Sequence, residues 1–343
     1  MTATREPVAL ALAPEPAGSA PLPGPGWRLD AHAVDVDDIA RSQRDWRLEY
    51  SQLSAGAYVG GLQHIQLEGL RLVSEWANRG LRQRGQLDTR TVGFAIALSA
   101  SGYARFHGVV AADESIMIGG GDDIDLTLAP DSLHVGIVVE RGLLTELWRG
   151  SELQPWSQGR ASQLCVQARP GHAAALVQTQ LQRMRELSED NAALRDAARL
   201  RRLRDALLLA WLEALPERLD AAAPKAARER RALVQRVCEL AAPAPEPPPT
   251  LLEVCRRIGI SPRKLEYCFQ DVLGMSPRQY LRAARLNGVR RELRRGCDSR
   301  SIADVASHWG FWHMSDFAAD YKRLFGELPS QTDRRARRTA SLI

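Results

Sequence analysis

Apolar and polar residues change their rhythm several times along this chain. From Asp30 to about Trp46 the spacing suits a short helix. From Arg47 to about Val139 the rhythm becomes two, in short apolar runs broken by Gly and Asp. Leu62–Leu67, Thr91–Leu98, Ser115–Ile118 and Leu133–Val139 are such runs. Gly60-Gly61, Gly80, Gly119-Gly120-Gly121 and Ala129-Pro130-Asp131 supply turn signals between them. Many short strands at regular spacing predict a β-barrel or sandwich.

Beyond Pro170-Gly171 the pattern is helical. Leu176, Leu181, Met184 and Leu187 form one apolar stripe, and Leu194, Leu200, Leu203, Leu207, Trp211 and Leu215 form a second. Helices of this kind bury their stripes on the barrel, on each other or on a second copy of the chain, and the sequence leaves these open. Pro216 and Pro224 break the pattern, so a new domain starts near Lys225. Its first helix runs from about Ala226 to Leu240, and Pro243–Pro249 forms a connection.

The remaining stretch repeats one grammar twice. Thr250-Leu251-Leu252-Glu253 reads as a capping box, in which a hydroxyl and a carboxylate satisfy free amides at a helix start. Leu251, Val254, Cys255 and Ile258 line that helix, and Gly259 permits the left-handed turn that ends it. Ser261-Pro262 restarts a helix whose inner face is Leu265, Cys268, Phe269, Val272 and Leu273. Its outer face carries Arg263, Lys264, Glu266, Tyr267 and Gln270. A helix, a glycine turn and a helix with a polar reading face make a helix-turn-helix.

About fifty residues on, Ser301-Ile302-Ala303-Asp304 opens another helix, with Trp309-Gly310-Phe311 as its turn. Met314, Phe317, Tyr321, Leu324 and Phe325 point inward, and Gly326 stops the helix. Trp312, His313, Ser315, Asp316, Ala319 and Asp320 are read as its outer face, with Lys322 and Arg323 near its end. Between the units, Ser276-Pro277 opens a helix reaching about Arg295, some 27 Å long at about 1.5 Å per residue. That length suits two reading helices about 34 Å apart, in successive major grooves on one face of DNA.

Charge sharpens this picture. The 343 residues carry a net charge of +5, but Lys225–Ile343 holds 23 Lys+Arg against 13 Asp+Glu, leaving 23 against 28 before it. One end is basic and the other mildly acidic, as when only one end meets a polyanion. Solvated arginine-rich helices would give the same imbalance. The five cysteines are scattered without a CxxC pair, which argues against a disulfide framework and a zinc site. No run approaches a membrane span, and Met1–Gly26 makes a poor signal peptide, so the expected location is cytoplasmic. Residues 1–29 read as a disordered arm, and 336–343 as a basic tail.

The string Gly259-Ile260-Ser261-Pro262-Arg263-Lys264-Leu265, with Phe269, Leu273-Gly274-Met275-Ser276-Pro277, Tyr280-Leu281 and Arg285-Leu286, resembles the AraC/XylS family of transcription regulators. The second unit resembles it through Ile302-Ala303-Asp304-Val305-Ala306, Gly310-Phe311, Ser315, Phe317, Tyr321, Leu324-Phe325-Gly326 and Pro329-Ser330. Gly310-Phe311-Trp312-His313-Met314, with Phe317-Ala318 and Asp320-Tyr321, looks most like the branch of ethanolamine-operon and anthranilate-catabolism regulators.

The resemblance implies a two-part α+β chain. Residues 30–170 would be a cupin-like, effector-sensing β-barrel, 171–223 linker or dimerisation helices, and 224–335 a double helix-turn-helix. Arg263, Glu266, Tyr267 and Gln270 would face base edges from the first unit, and His313, Ser315, Asp316 and Ala319 from the second. Arg256, Arg257, Arg278, Arg282, Arg290, Arg291 and Lys322 would meet phosphate or solvent. Many family members have Arg where this chain has Tyr267, which puts one guanine contact in doubt. With Asp316 and Asp320 both outward, the second reading helix is acidic, and the first unit is expected to supply most of the affinity. Double-stranded DNA, a small-molecule effector, RNA polymerase and a second copy of the chain are the implied partners.

No cofactor, metal or catalytic residue is expected. The seven histidines (His32, His64, His107, His134, His172, His308, His313) are spread out, and GxSxG, Walker A and GxGxxG patterns are missing. The rival reading is a cupin-type enzyme or ligand-binding barrel with an accessory DNA-binding tail.

Overall fold

The period-two stretch folds as two sheets. The computed structural model describes residues 26–333 apart from 44–45, 122, 148–162, 218, 220–224, 241–248 and 297–299. The seven-stranded sheet has the order β1-β3-β4-β11-β6-β9-β12. Its strands are β1 (Trp27–Ala33), β3 (Gly60–Leu67), β4 (Leu70–Ala77), β6 (Thr91–Ser99), β9 (Ser115–Gly120), β11 (Ser132–Glu140) and β12 (Leu164–Gln167). The five-stranded sheet has the order β2-β5-β10-β7-β8, built from β2 (Arg47–Gln52), β5 (Leu81–Gln86), β7 (Ala104–Phe106), β8 (Val109–Ala111) and β10 (Ile124–Leu128). The ladders from β1 through β3, β4, β11, β6 and β9 to β12 are antiparallel.

Two long helices cover one face of the larger sheet. In α3 (His172–Glu189), Leu176, Val177, Met184 and Leu187 are buried; in α4 (Ala197–Glu213), Leu207, Leu208 and Trp211 are. They share one core with Ile65, Leu72, Phe94, Ile118, Val135 and Ile137 of the strands. Each such side chain withdrawn from water contributes about 1.5–3 kcal/mol. Gln180 crosses this core. Its Nε2 donates to the Gly136 carbonyl at 2.6 Å, and its Oε1 accepts from Trp211 Nε1 at 2.8 Å, so a buried amide fixes the register of helix on sheet. The stripes are thus taken up inside this unit, with Leu209 the large apolar side chain of these helices left exposed among the described residues.

Several local expectations change, and Gly119-Gly120, read as part of a turn, instead pair with β6 inside β9. Asp30–Trp46 is not one helix: β1 pairs with β3, and α1 spans only Val36–Ser42, capped by Asp35 through Asp37 N at 2.9 Å. A strand partner outweighs a short helical period. Gly60-Gly61 lies inside β3, because a Cβ at Gly61 would stand 2.7 Å from Trp76 Nε1 and 2.9 Å from His32 Nδ1 on the flanking strands. The stripe placed at Leu194 begins in a 3-10 turn, Ala193–Arg195, ahead of α4. Of the expected arm 1–29, residues 1–25 lie outside the described residues and Trp27 opens β1; the tail 336–343, most of the Pro243–Pro249 connection and Cys297 also lie outside. After β11 a short helix, α2 (Arg141–Leu147), leaves the sheet.

The chain divides into two compact units, and the division is not a single cut. The second unit contains Lys225 onward together with Tyr50–Tyr58 and Arg79–Arg82, which interrupt the first unit's sequence. Continuous boundaries do not anticipate this.

Candidate nucleic-acid interface

In the second unit the two grammars fold as written. After α5 (Lys225–Leu240), α6 (Leu251–Ile258) starts with a capping box: Glu253 N donates to Thr250 Oγ1, and Thr250 N donates to Glu253 Oε2 at 2.7 Å. The Thr250 N–H, and then the Thr250 hydroxyl, donate to the Glu253 carboxyl and hold it below its ordinary value. Gly259 turns the chain at φ 76°, and α7 (Pro262–Leu273) restarts on Ser261. The second unit repeats the device: Ser301 and Asp304 form a capping box on α9 (Ile302–His308), and α10 (Met314–Phe325) ends at Gly326 in the left-handed region.

Each helix-turn-helix has its own core. Val254, Leu265, Phe269 and Val272 pack with Val234 and Val237 of α5 in the first. Val289, Leu293, Val305, Phe317 and Tyr321 pack in the second. The helix α8 (Pro277–Arg295) gives Tyr280 and Leu281 to the first core and Ala283, Leu286, Val289 and Leu293 to the second. Gly288 sits where Trp309 crosses α8: a Cβ there would lie 2.0 Å from that ring. Trp309 Nε1 donates to Glu292 Oε2 at 2.8 Å, which locks the second turn to the connecting helix.

The outward side chains expected to read DNA fall into two groups. Arg263, Lys264, Glu266, Tyr267 and Gln270 are all exposed on α7. Tyr267 is 60% exposed, with Arg230 of α5 5.8 Å from its ring centroid, and Arg230 Nε is itself 2.6 Å from Asp271 Oδ2. Trp312, 64% exposed, precedes α10, and His313 is the N-cap of that helix without a side-chain cap bond. Ser315, Asp316, Ala319 and Lys322 are exposed on α10.

Three residues depart from their expected places. Asp320 is not outward: it is 5% exposed and ion-paired with Arg282 of α8 and with Arg323. Arg290 is buried rather than solvent-facing, 2.9 Å from Glu327 Oε1 and over the Phe325 ring. Arg291 donates to the Tyr50 carbonyl at 2.8 Å and to Ser51 Oγ at 2.9 Å. A wheel drawn on one helix could not show these, because Arg282, Glu327 and Tyr50 sit outside the helix of the residue they hold. Arg290 and Thr332 meet the phenol of Tyr321, whose burial pushes its pKa up to about 12.

A crevice of about 440 Å³ lies against the second reading group, between α8 and the start of α10. Arg278, Arg282 and Arg285 of α8 line it beside Thr250, Trp312 and His313. Three arginines at this spacing share one helix face, and Arg285, lowered from its ordinary value by burial, reaches the Pro249 carbonyl at 3.3 Å. Sequence reasoning did not single out Arg285 as part of this face.

A helix-turn-helix domain family model matches residues 254–335. The probable thc operon regulatory protein of Rhodococcus erythropolis is 38% identical over 85 residues, 24% of this chain and 26% of that protein. Through this domain the chain belongs to the AraC/XylS family. The XylDLEGF operon transcriptional activator of Pseudomonas putida is 38% identical over 80 residues, 23% of this chain and 25% of that protein. A solved probable AraC family transcriptional regulator from Rhodopseudomonas palustris is 31% identical, covering 31% of this chain and 97% of that one, with a TM-score of 0.28. The chain thus spans about a quarter of the length of the curated AraC/XylS relatives it matches. Among the described residues, no group of three His, Cys, Asp or Glu side chains could hold a metal, and no helix is long and apolar enough to cross a membrane.

Proposed function

We propose that the chain is a sequence-specific DNA-binding transcription regulator of AraC/XylS type, controlled by a small molecule bound in its N-terminal unit. The observation that carries it is the pair of exposed reading surfaces, each built on its own capped, glycine-turned core and joined by one helix. Arg263, Glu266, Tyr267 and Gln270 face base edges from α7, and His313, Ser315, Asp316 and Ala319 from α10. Lys264, Trp312 and Lys322 flank them, and Arg278, Arg282 and Arg285 lie along the backbone path, where phosphate contacts add salt-dependent affinity. RNA polymerase and a second copy of the chain complete the proposed partners. The matched relatives include proteins named as activators, and activation is the proposed direction. Residues 30–170 act as the sensing domain, 171–223 as linker helices and 224–335 as the DNA-binding domain. Placement in the ethanolamine and anthranilate branch rests on Gly310–Met314 with Phe317-Ala318 and Asp320-Tyr321.

Selection of duplexes from a random library by the full chain tests this reading. A single enriched motif with two separated elements supports it; no enrichment over bulk DNA at about 150 mM salt, where specific sites should bind about 10³-fold or more tighter than bulk DNA, refutes it. Arg263→Ala is expected to weaken binding to the enriched duplex by about 1–3 kcal/mol and relax one position of the motif. His313→Ala is expected to cost less, because the second surface still carries the exposed Asp316.

A further inference from the structure

The second unit contains a short stretch that neither helix-turn-helix supplies. Tyr50–Tyr58 lies within it, about 230 residues before α8 in sequence. Gln52 is 2% exposed, and so is Asn287 in the middle of α8. The Asn287 side chain reads both backbone groups of Gln52: its Oδ1 accepts from Gln52 N at 2.9 Å, and its Nδ2 donates to Gln52 O at 2.8 Å. The Gln52 side chain continues to α10. Its Nε2 donates to the Leu324 carbonyl at 2.6 Å and to the Gly56 carbonyl at 2.6 Å. Gly56 N in turn donates to the Arg323 carbonyl at 2.9 Å.

Leu324 and Arg323 are in the last turn of α10, where carbonyls lack partners inside the helix. The segment therefore caps the C-terminal end of one reading helix while its backbone is held by the connecting helix. Leu53 packs against the hydrophobic cores of both helix-turn-helix units, and Gly326 approaches Ala57 so closely that a Cβ would lie 2.9 Å from it. Arg291 on α8, one turn beyond Asn287, adds the bonds to Tyr50 and Ser51.

We propose that Gln52 and Asn287 are positioning residues for DNA reading: together they tie α10 to α8 and set the separation of the two reading helices. Neither touches DNA. α10 already packs on α8 through the second core and the Arg282–Asp320 pair; the Gln52 bridge adds a tie at the far, C-terminal end of α10, where it restrains the tilt of that helix on α8. The proposal rests on the DNA-binding reading above.

Its test uses the full chain and the duplex enriched by the wild-type chain, with zero, one or two base pairs inserted between the two elements of the motif. One inserted pair rotates the second element by about 35°. The wild-type chain is expected to lose at least tenfold in Kd on that insertion. Gln52→Met keeps the volume but removes the donor, and Asn287→Ala removes both bonds to the segment. In either variant the penalty for insertion is expected to shrink below about threefold, with affinity for the uninserted duplex down by less than tenfold. Gln52→Asn, which retains a donor amide, is expected to recover part of the spacing selectivity. An unchanged insertion penalty in Gln52→Met, with a cooperative melt retained, overturns the proposal. Equal losses on every duplex also overturn it, since they indicate a merely structural role. Failure to enrich any duplex with the wild-type chain refutes the DNA-binding reading instead.

Discussion

Asp316 and Asp320 are four residues apart on α10, yet they do different work. Asp320 is inside, between Arg282 and Arg323, so its charge is balanced within the protein and the reading surface carries one exposed carboxylate, Asp316. Asp320→Ala releases Arg282 and Arg323, both of which still reach water, and is expected to lower the stability of this unit by about 1 kcal/mol or less in a thermal melt. Asp316→Ala should leave the melt within about 0.5 kcal/mol, as a surface substitution does, and tighten DNA binding. In the first unit a second asymmetry sits on β3 and β11. His64 is fully buried, and burial first, with Arg71 and His134 behind it, holds it well below its ordinary value. His134 is brought down to about 4 from 6.5 by burial, in spite of the Glu75 carboxylate 3.7 Å from its Nε2. Between pH 6.5 and 4 the unfolded chain takes up a proton at His134 that the folded chain does not, so stability falls as pH falls through that window. The loss is on the order of 3 kcal/mol by pH 4, and a melting series of the wild type against His134→Gln checks it. Capping residues such as Thr250, Ser261 and Ser301 were legible because their partners are local. The Arg282–Asp320 and Arg290–Glu327 pairs were not, because their partners are far away in sequence.

At the level of elements, α8 is the piece on which both helix-turn-helix units depend. Its extent and its Ser276-Pro277 start were readable from sequence, as were the apolar stripes of α3 and α4. What escaped was the crossing at Gly288, since a glycine in a helix looks only like a weak point until its neighbour is known. Gly288→Ala should raise helix propensity yet destabilise, by about 1–3 kcal/mol or more, because the methyl would need the space of the Trp309 ring. A fall in the melting temperature together with a changed Trp fluorescence maximum is the expected result. In the sheets the stronger runs, β3, β6, β9 and β11, were visible as strands. The shorter β7, β8, β10 and β12 were not, because three to five residues give too little periodicity to separate from a loop.

Across the whole molecule, chain order and spatial order disagree. The DNA-reading unit includes Tyr50–Tyr58 and Arg79–Arg82, and Arg82 Nη1 donates to the Tyr280 hydroxyl at 2.6 Å within it. A Lys225–Ile343 fragment therefore lacks the donors that finish α10. Amide hydrogen exchange is expected to show the last turn of α10 less protected in that fragment than in the full chain, with α7 little changed. Linear domain boundaries missed this because composition and periodicity describe neighbours along the chain, and Gln52 and Asn287 are 235 residues apart.

That separation also sets a timetable for synthesis. Gln52 leaves the ribosome with no partner for its backbone, and Asn287 follows after 235 more residues, about 10–50 s at ordinary elongation rates. Leu324 follows later still. During that interval the loop carrying Leu53 lacks the two cores on which that side chain packs. Slow elongation should thus favour association between nascent chains through this loop, and a chain carrying Leu53→Ser should be less prone to it while it is being made.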